Sequence, residues 1–553
     1  MDGVLLTPLE VVPAATDLAP LVARLLAEVD QLRAEVAGLR RENLELRQQA
    51  GYWQSRHADA VRRIAALEQE NEQLRGENRK LQAERFERRS EKQSCSDRSN
   101  ELADPADAKP KRPRGRQPGQ PAPQRRDYSH LPTREQFIDL PEAEAICPDC
   151  GLPLKACGTE DSEQLEIEIA AYRRVIRRRR GQRTCRCPGP RTFTAPPAPK
   201  LIPKSLLGVS VWVEILLDKF ASYRPTQRLL EQWQLLGLDL AAGTVTDGLQ
   251  RLEPLFQPIL EALRQRNRQS HYKQADETRW LVFVEQQGKV GFGWWLWVFN
   301  SEDTVVYILD DSRSHQVPED HYPPQAGGVL MVDRYSAYKA MLQVKNGTLI
   351  LVFCWAHVRR DFVRVGKGWP ELKSWALEWL RRIRDLYRCN RPRLAHPADP
   401  APQAGLRQAV AAMRQQLDTE LADPALRTPA RKALTSMQEH WSGLSHFVDD
   451  PRIPMDNNLS ERRLRGPALG RKNYYGSGAK WSGRLAATLF SILATLKLWQ
   501  INPRLWLNWY LQSCAEAGSQ APTDVEPFLP WNLSQDLRAK LCMTSPEQKT
   551  DTG

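Results

Sequence analysis

From Val22 to Leu81 one apolar register repeats every seven residues, for roughly nine heptads. Val22, Val29, Val36 and Ile64 fall at position a, and Leu25, Leu32, Leu39, Leu46, Leu67, Leu74 and Leu81 at position d. Glu, Arg and Gln fill the flanks. A strict seven-residue repeat forces a left-handed supercoil with a partner helix. Asn43, Asn71 and Asn78 also sit at a, where a buried amide favours a two-stranded, in-register pair. The pattern predicts a parallel coiled-coil homodimer over residues 18–90. The register is weakest between Ala50 and Ala60, and the alternative is a helical hairpin folded about Gly51.

The period is lost over 101–132, a linker rich in Pro, Arg, Lys, Gln and Ala. A module spanning 133–199 carries clustered cysteines, and residues 200–269 return to a helical pattern. Within it, a helix from Pro225, a turn at Leu235-Leu236-Gly237 and a second helix from Ala242 fit either a helix-turn-helix or a plain helical hairpin. From Tyr272 the pattern turns to strands: Thr278 to Val284, Gly291 to Asn300, Thr304 to Leu309, Gly328 to Val332 and Leu349 to Phe353. Three β-rich runs followed by two short apolar strands predict a mixed sheet with helices on its faces, hence a multidomain α/β chain. Residues 270–368 form the first part of this core, 369–450 a helical insertion with a Pro-rich break from Arg391 to Pro402, 451–515 the second part, and 516–553 a C-terminal tail.

Composition narrows the partners. The 553 residues carry a net charge of +12, which suits a polyanion without separating nucleic acid from a membrane surface. No uncharged apolar run reaches the ~18 residues a membrane span needs, and no basic flank precedes the first apolar residues as in a secretory signal. Cys354, Cys389, Cys514 and Cys542 stand alone, as thiols do in a reducing cytoplasm. The expected location is therefore cytoplasmic, nucleoid-associated when bound.

Two small motifs offer ligand chemistry. Arg112, Arg114 and Arg116 lie in Arg-Pro-Arg-Gly-Arg-Gln-Pro, which resembles an AT-hook, with arginines for a narrow minor groove; a solvated basic linker is the alternative. Cys147 and Cys150 form a Cys-x-x-Cys knuckle, and Cys185 and Cys187 can close a tetrahedral Zn²⁺ shell. The later pair is one residue tighter than usual, so Cys157 can substitute for one of them, and unligated thiols remain the other reading. Between the pairs, the arginine-rich run Arg173 to Arg180 is either a solvated face or a phosphate track.

Carboxylates carry the remaining chemistry. Asp276 stands at the start of the first predicted strand and Asp333 at the end of the fourth, where side chains meet at a common sheet edge. Two such groups can bridge a pair of Mg²⁺ ions, and Glu461, at a helix start capped by Asp456 or Asn457, is the best third. Each has an ordinary alternative: a turn cap, a loop acid, or an i,i+4 partner for Arg465. Glu277, Asp310, Asp311 and Asp456 compete, although Asp276 and Glu277 face opposite sides of a strand. No Gly-rich phosphate loop calls for a nucleotide.

Four strings resemble the insertion sequence 66 family of transposases: Ala275-Asp276-Glu277-Thr278, Asp333 to Tyr338, Cys354 to Phe362, and Asp456-Asn457-Asn458 through Glu461-Arg462. Arg471-Lys472-Asn473-Tyr474 and the order of zipper, linker, knuckle, helices and core are similar too, over roughly Val22 to Leu511. The resemblance implies a ribonuclease-H-like core with an Asp-Asp-Glu triad, here Asp276, Asp333 and Glu461, working with two Mg²⁺ or Mn²⁺ ions. It implies cleavage at element ends and strand transfer into double-stranded target DNA, with small accessory proteins as possible partners. His357 is then a candidate support residue, and Arg462, Arg463, Arg465, Arg471 and Lys472 candidate phosphate contacts, unless they are a solvated helix face. Two departures stand out: Arg334 replaces a usually small residue, and the Cys185/Cys187 spacing is tight. The competing readings are a metal-dependent nuclease or resolvase on the same scaffold, and a DNA-binding regulator with an inactive core.

Overall fold

The computed structural model describes residues 18–86, 169–182, 192–284, 292–396 and 399–542, with a few isolated positions between 133 and 184. The AT-hook-like arginines Arg112, Arg114 and Arg116 and the clustered cysteines Cys147, Cys150, Cys157, Cys185 and Cys187 lie outside the described residues. The chain divides into two units, 1–96 with 364–373, and 97–363 with 374–553.

In the first unit, α1 (Leu18–Phe86) is one helix of 69 residues that continues through Gly51, so the hairpin alternative is not what forms. Pro20 sits in its first turn, where the missing N–H costs nothing. The heptad side chains, Leu25, Leu32, Leu39, Leu46, Leu67, Leu74 and Leu81 among them, are exposed along it.

The second unit begins with a short antiparallel ribbon, β1 (Arg180–Gln182) and β2 (Thr192–Thr194). Four helices follow: α2 (Val209–Phe220), α3 (Thr226–Gln234), α4 (Ala242–Leu252) and α5 (Gln257–Gln269). Gly237 between α3 and α4 takes φ +75°, a left-handed value that favours glycine. The core sheet comprises β3 (Tyr272–Leu281), β4 (Gly293–Asn300), β5 (Val305–Asp310), β6 (Gly328–Val332) and β7 (Leu349–Phe353). Its order is β5-β4-β3-β6-β7; β3, β4 and β5 pair antiparallel, whereas β6 runs parallel to β3 and β7 parallel to β6.

β3 starts six residues before the predicted Thr278, because Tyr272, Lys273 and Gln274 pair with Val329, Leu330 and Met331 of β6. Lys273 and Gln274 are buried despite their polarity, which hid this half of the strand from the hydrophobic pattern. Asp276 consequently lies in mid-strand rather than at a strand start.

Short helices α6 (Gln316–His321), α7 (Ser336–Ala340) and α8 (Leu342–Lys345) link the later strands, and α9 (Trp355–Gly368) follows β7. Helices α10 (Lys373–Ala395), α11 (Pro400–Ala422), α12 (Thr428–Glu439) and α13 (Trp441–Ser445) fill the stretch before α14 (Asn458–Tyr474). The chain closes with α15 (Lys480–Leu498), α16 (Pro503–Glu516) and α17 (Gln535–Leu541). Both sheet edges are covered. Ser491 and Thr495 of α15 accept the outward N–H groups of Tyr307 (2.8 Å) and Val305 (3.0 Å) on edge strand β5. Gly443 of α13 lies so close to β7 that an added Cβ would stand 2.6 Å from the Leu351 carbonyl oxygen. Phe528, Leu529, Leu533 and Leu541, in the predicted tail, are buried. Among the described residues no helix is long and apolar enough to cross a membrane.

Candidate active site

Register brings the two aspartates together. Tyr272 pairs with Val329 and Gln274 with Met331, an offset of 57 (329 − 272), and the same offset separates Asp276 from Asp333 (333 − 276). Parallel strands in register turn equivalent side chains to the same face, about 4.8 Å apart. The β3–β6 ladder stops at Gln274, so the two carboxylates stand just where the strands part. Asp333 Oδ1 accepts the Tyr335 N–H at 2.9 Å, and Asp276 Oδ1 that of Glu277 at 2.9 Å. Burial pushes the Asp276 carboxyl up to about 8, and the charges of Glu277, Asp333 and Glu461 push the same way.

The helix that carries Glu461, α14, is seated on the sheet. Asn457, wholly buried, donates from Nδ2 to the Ala275 carbonyl at 2.9 Å. Its backbone N–H meets Cys354 Sγ at 3.2 Å. Ser460 Oγ accepts from Asn300 Nδ2 at 2.7 Å and donates to Gln274 Oε1 at 3.3 Å. Asn457 is the cap residue, but Asp456 does the capping chemistry, accepting the Asn458 N–H at 3.2 Å. Glu461 therefore lies in the first helical turn, where a negative charge suits the helix dipole.

Glu461 does not pair with Arg465. Its Oε1 accepts from Arg360 Nη2 at 2.6 Å, and His357 Nε2 stands 3.9 Å away. Arg360 Nη1 also meets His357 Nε2 at 3.0 Å. Burial and the Arg360 charge hold the His357 imidazole below its usual range, while Asp333 and Glu461 pull it upward, so all four groups share one site. Among the described residues, no three His, Cys, Asp or Glu side chains stand close enough to form a finished metal shell. The donor set nonetheless fits a hard divalent cation: all-oxygen carboxylates, one raised far above its normal range by burial among other acids, a conflict that a cation relieves.

Glu277 faces the other side of β3 and is 1% exposed. Arg313 donates to it from Nε (2.9 Å) and Nη2 (2.6 Å), and Tyr338 Oη donates at 2.7 Å. The Arg313 guanidinium lies 4.0 Å from the Tyr335 ring centre, and Tyr335 carries the N–H that Asp333 accepts. A chain of contacts thus runs beneath the aspartates from β3 to the Asp333 turn. Sequence reasoning missed Arg313, Arg360 and Tyr338 as site residues. Arg360, one helical turn after His357, and Tyr338, at the end of the Asp333 string, both lie within the motifs quoted above, whereas Arg313 left no trace.

Arg334 is tied to Asp361 and, at 2.8 Å, to Ser436 of α12, so it links the helical stretch to the Asp333 turn. Arg471 is engaged with β3 through Thr278 Oγ1 (3.3 Å) and the Arg279 carbonyl. Arg462, Arg465 and Lys472 are exposed on α14, at i, i+3 and i+10. Tyr475 is exposed in the loop after α14 at φ 63°, whereas Tyr474 packs on Trp280.

A mixed five-stranded sheet flanked by helices, with acidic groups gathered where its parallel strands part, defines an α/β protein with an acidic site between the interior strands β3 and β6. Residues 204–485 match the family described as Transposase IS66 family, and the chain belongs to that family. It is 31% identical over 430 residues to uncharacterized protein y4jD of Sinorhizobium fredii, covering 74% of this chain and 81% of that protein. Uncharacterized protein y4qI of the same organism is 26% identical over 460 residues, covering 80% and 82%. The crystal structure of the Mos1 strand transfer complex aligns over 28% of this chain and 59% of that one, at 11% identity and a TM-score of 0.12, too low to bear on the fold.

Proposed function

We propose that the chain is a metal-dependent DNA transposase on a ribonuclease-H-like core, cutting phosphodiester bonds at element ends and joining the freed ends to target DNA. The observation that carries this reading is the shared offset of 57 residues (329 − 272; 333 − 276) between Asp276 and Asp333, with α14, the helix that carries Glu461, anchored to β3 through Asn457. Asp276 and Asp333 would hold the divalent cations, with Glu461 as the third acidic ligand. When bound, such ions supply Lewis acidity at the scissile phosphate. His357 lies within reach of Glu461 and steadies Arg360. Arg462, Arg465 and Lys472 offer phosphate contacts along α14, and the α1 heptads pair two chains so that two element ends can be held together. Small accessory proteins and a Zn²⁺ held by Cys147, Cys150, Cys185 and Cys187 complete the proposal.

The test is incubation with a labelled duplex carrying element ends, a target plasmid and Mg²⁺, repeated with Asp276→Asn. Joined products that vanish in the variant support the transposase. Cleavage without joining supports a nuclease or resolvase, and DNA bound but uncut supports an inactive regulator; either result overturns the proposal.

A further inference from the structure

Arg360 occupies the one carboxylate that the other two need. Its guanidinium contacts Glu461 Oε1 at 2.6 Å and His357 Nε2 at 3.0 Å. The helices carrying the pair are fixed to each other near their starts. Trp355 N–H donates to the Met455 carbonyl at 2.9 Å, Trp355 Nε1 to the Leu444 carbonyl at 2.8 Å, and Asn457 N–H to Cys354 Sγ at 3.2 Å. A change in the partnership of Glu461 therefore needs only side-chain rotation, with the starts of both helices left in place. The pair is also accessible, with Arg360 33% and Glu461 19% exposed, so exchanging a partner does not strand a charge in the interior.

We infer that Arg360 is a positioning residue that holds Glu461 away from the Asp276–Asp333 pair until a DNA phosphate takes its guanidinium. The inference rests on the reading of these three acids as cation ligands. A guanidinium has five donors arranged to grip two oxygens of a phosphate, whereas Glu461 offers it one close oxygen here. Phosphate arrival then does two things in one exchange: Arg360 gains an anion bound at the reacting position, and Glu461 gains freedom to turn toward the aspartates. The cation site is complete only when DNA is present, which restrains idle hydrolysis by the unbound protein.

The experiment is a cycle of Mn²⁺ affinities for the full-length protein without DNA, using the wild type, Arg360→Gln, Glu461→Gln and the double variant. Arg360→Gln binds Mn²⁺ about tenfold tighter when Glu461 is present, and gains less than about twofold in the Glu461→Gln background, a coupling that a cycle isolates. Equal gains in both backgrounds would mean general charge repulsion and would overturn the inference, as would no gain at all. Arg360→Lys, which keeps the charge but loses the fork, gives an intermediate affinity. The second readout is duplex binding against salt: Arg360→Gln lowers the log–log slope by about 0.9, the value of one phosphate contact. An unchanged slope removes the phosphate half of the exchange. A wild type that cleaves DNA while the cycle shows no coupling sinks this inference alone. A wild type that neither binds Mn²⁺ nor cleaves sinks the proposed function with it.

Discussion

Replacing Asp276 with Asn should stabilise the protein while abolishing its chemistry. Burial is the main reason its carboxyl is raised from 3.8 to about 8, with Glu277, Asp333 and Glu461 adding to it. The sign follows from proton counting. Between pH 4 and pH 8, roughly, the folded state keeps a proton on Asp276 that the unfolded state has released, so stability falls as pH rises through that window. A shift of about four units corresponds to at most ~6 kcal/mol at ~1.4 kcal/mol per unit. Water penetration and relaxation among coupled acids reduce this, so a gain of about 3 kcal/mol for Asp276→Asn at pH 8 is the working figure. At ~2–4 °C per kcal/mol that is a rise in melting temperature of roughly 6–12 °C. The assay is thermal unfolding of both proteins from pH 5 to pH 8.5 in buffer free of divalent cations, then with added Mg²⁺. The wild type should lose stability toward pH 8 and regain it with Mg²⁺, whereas the variant should lose less, since Glu277, Asp310 and Asp218 are also raised, and should gain little from Mg²⁺. A variant that melts below the wild type at pH 8, or a wild type whose stability is flat across the window, would refute the claim that the acids are in conflict.

Asn457→Ala leaves the Ala275 carbonyl without its buried partner and opens a small cavity, costing about 2–3 kcal/mol; urea unfolding measures it, and cleavage should fall further than DNA binding, since Glu461 loses its seat. Charged residues at two d positions, Leu39→Asp with Leu46→Asp, should turn a dimer into a monomer in light scattering, and an unchanged mass would dismiss the coiled-coil pairing. Arg462→Gln with Arg465→Gln should lower the salt slope of duplex binding by about 1.8 without altering folding, because both are exposed on α14. Purified protein should carry one Zn²⁺ per chain that Cys147→Ser removes; metal content unaffected by the substitution would discard that assignment.

The sequence disclosed the site in proportion to how local its causes are. β6 and β7 are short apolar runs with abrupt polar ends, so Asp333 and the start of α9 could be located from hydrophobicity alone. β3 was half hidden, because Lys273 and Gln274 are buried in it, Lys273 donating to the Gly327 carbonyl at 2.7 Å and Gln274 accepting from Ser460. Polar residues buried through specific partners carry no periodic signal, so Asp276 was found while its place in the strand was not. The seat of α14 was invisible for the same reason: Asn457 and Ser460 read as ordinary cap and first-turn residues until the sheet is beneath them. Arg360 and Glu461 are 101 residues apart, and nothing along the chain indicates that a basic residue after β7 meets an acid at the head of α14. Family resemblance named the acids because motifs preserve residue types, and its Cys354 to Phe362 string contains Arg360, but it did not disclose that this arginine pairs with Glu461. The pairing of that arginine with Glu461 and His357 is a matter of side-chain partnership that only the folded molecule reveals.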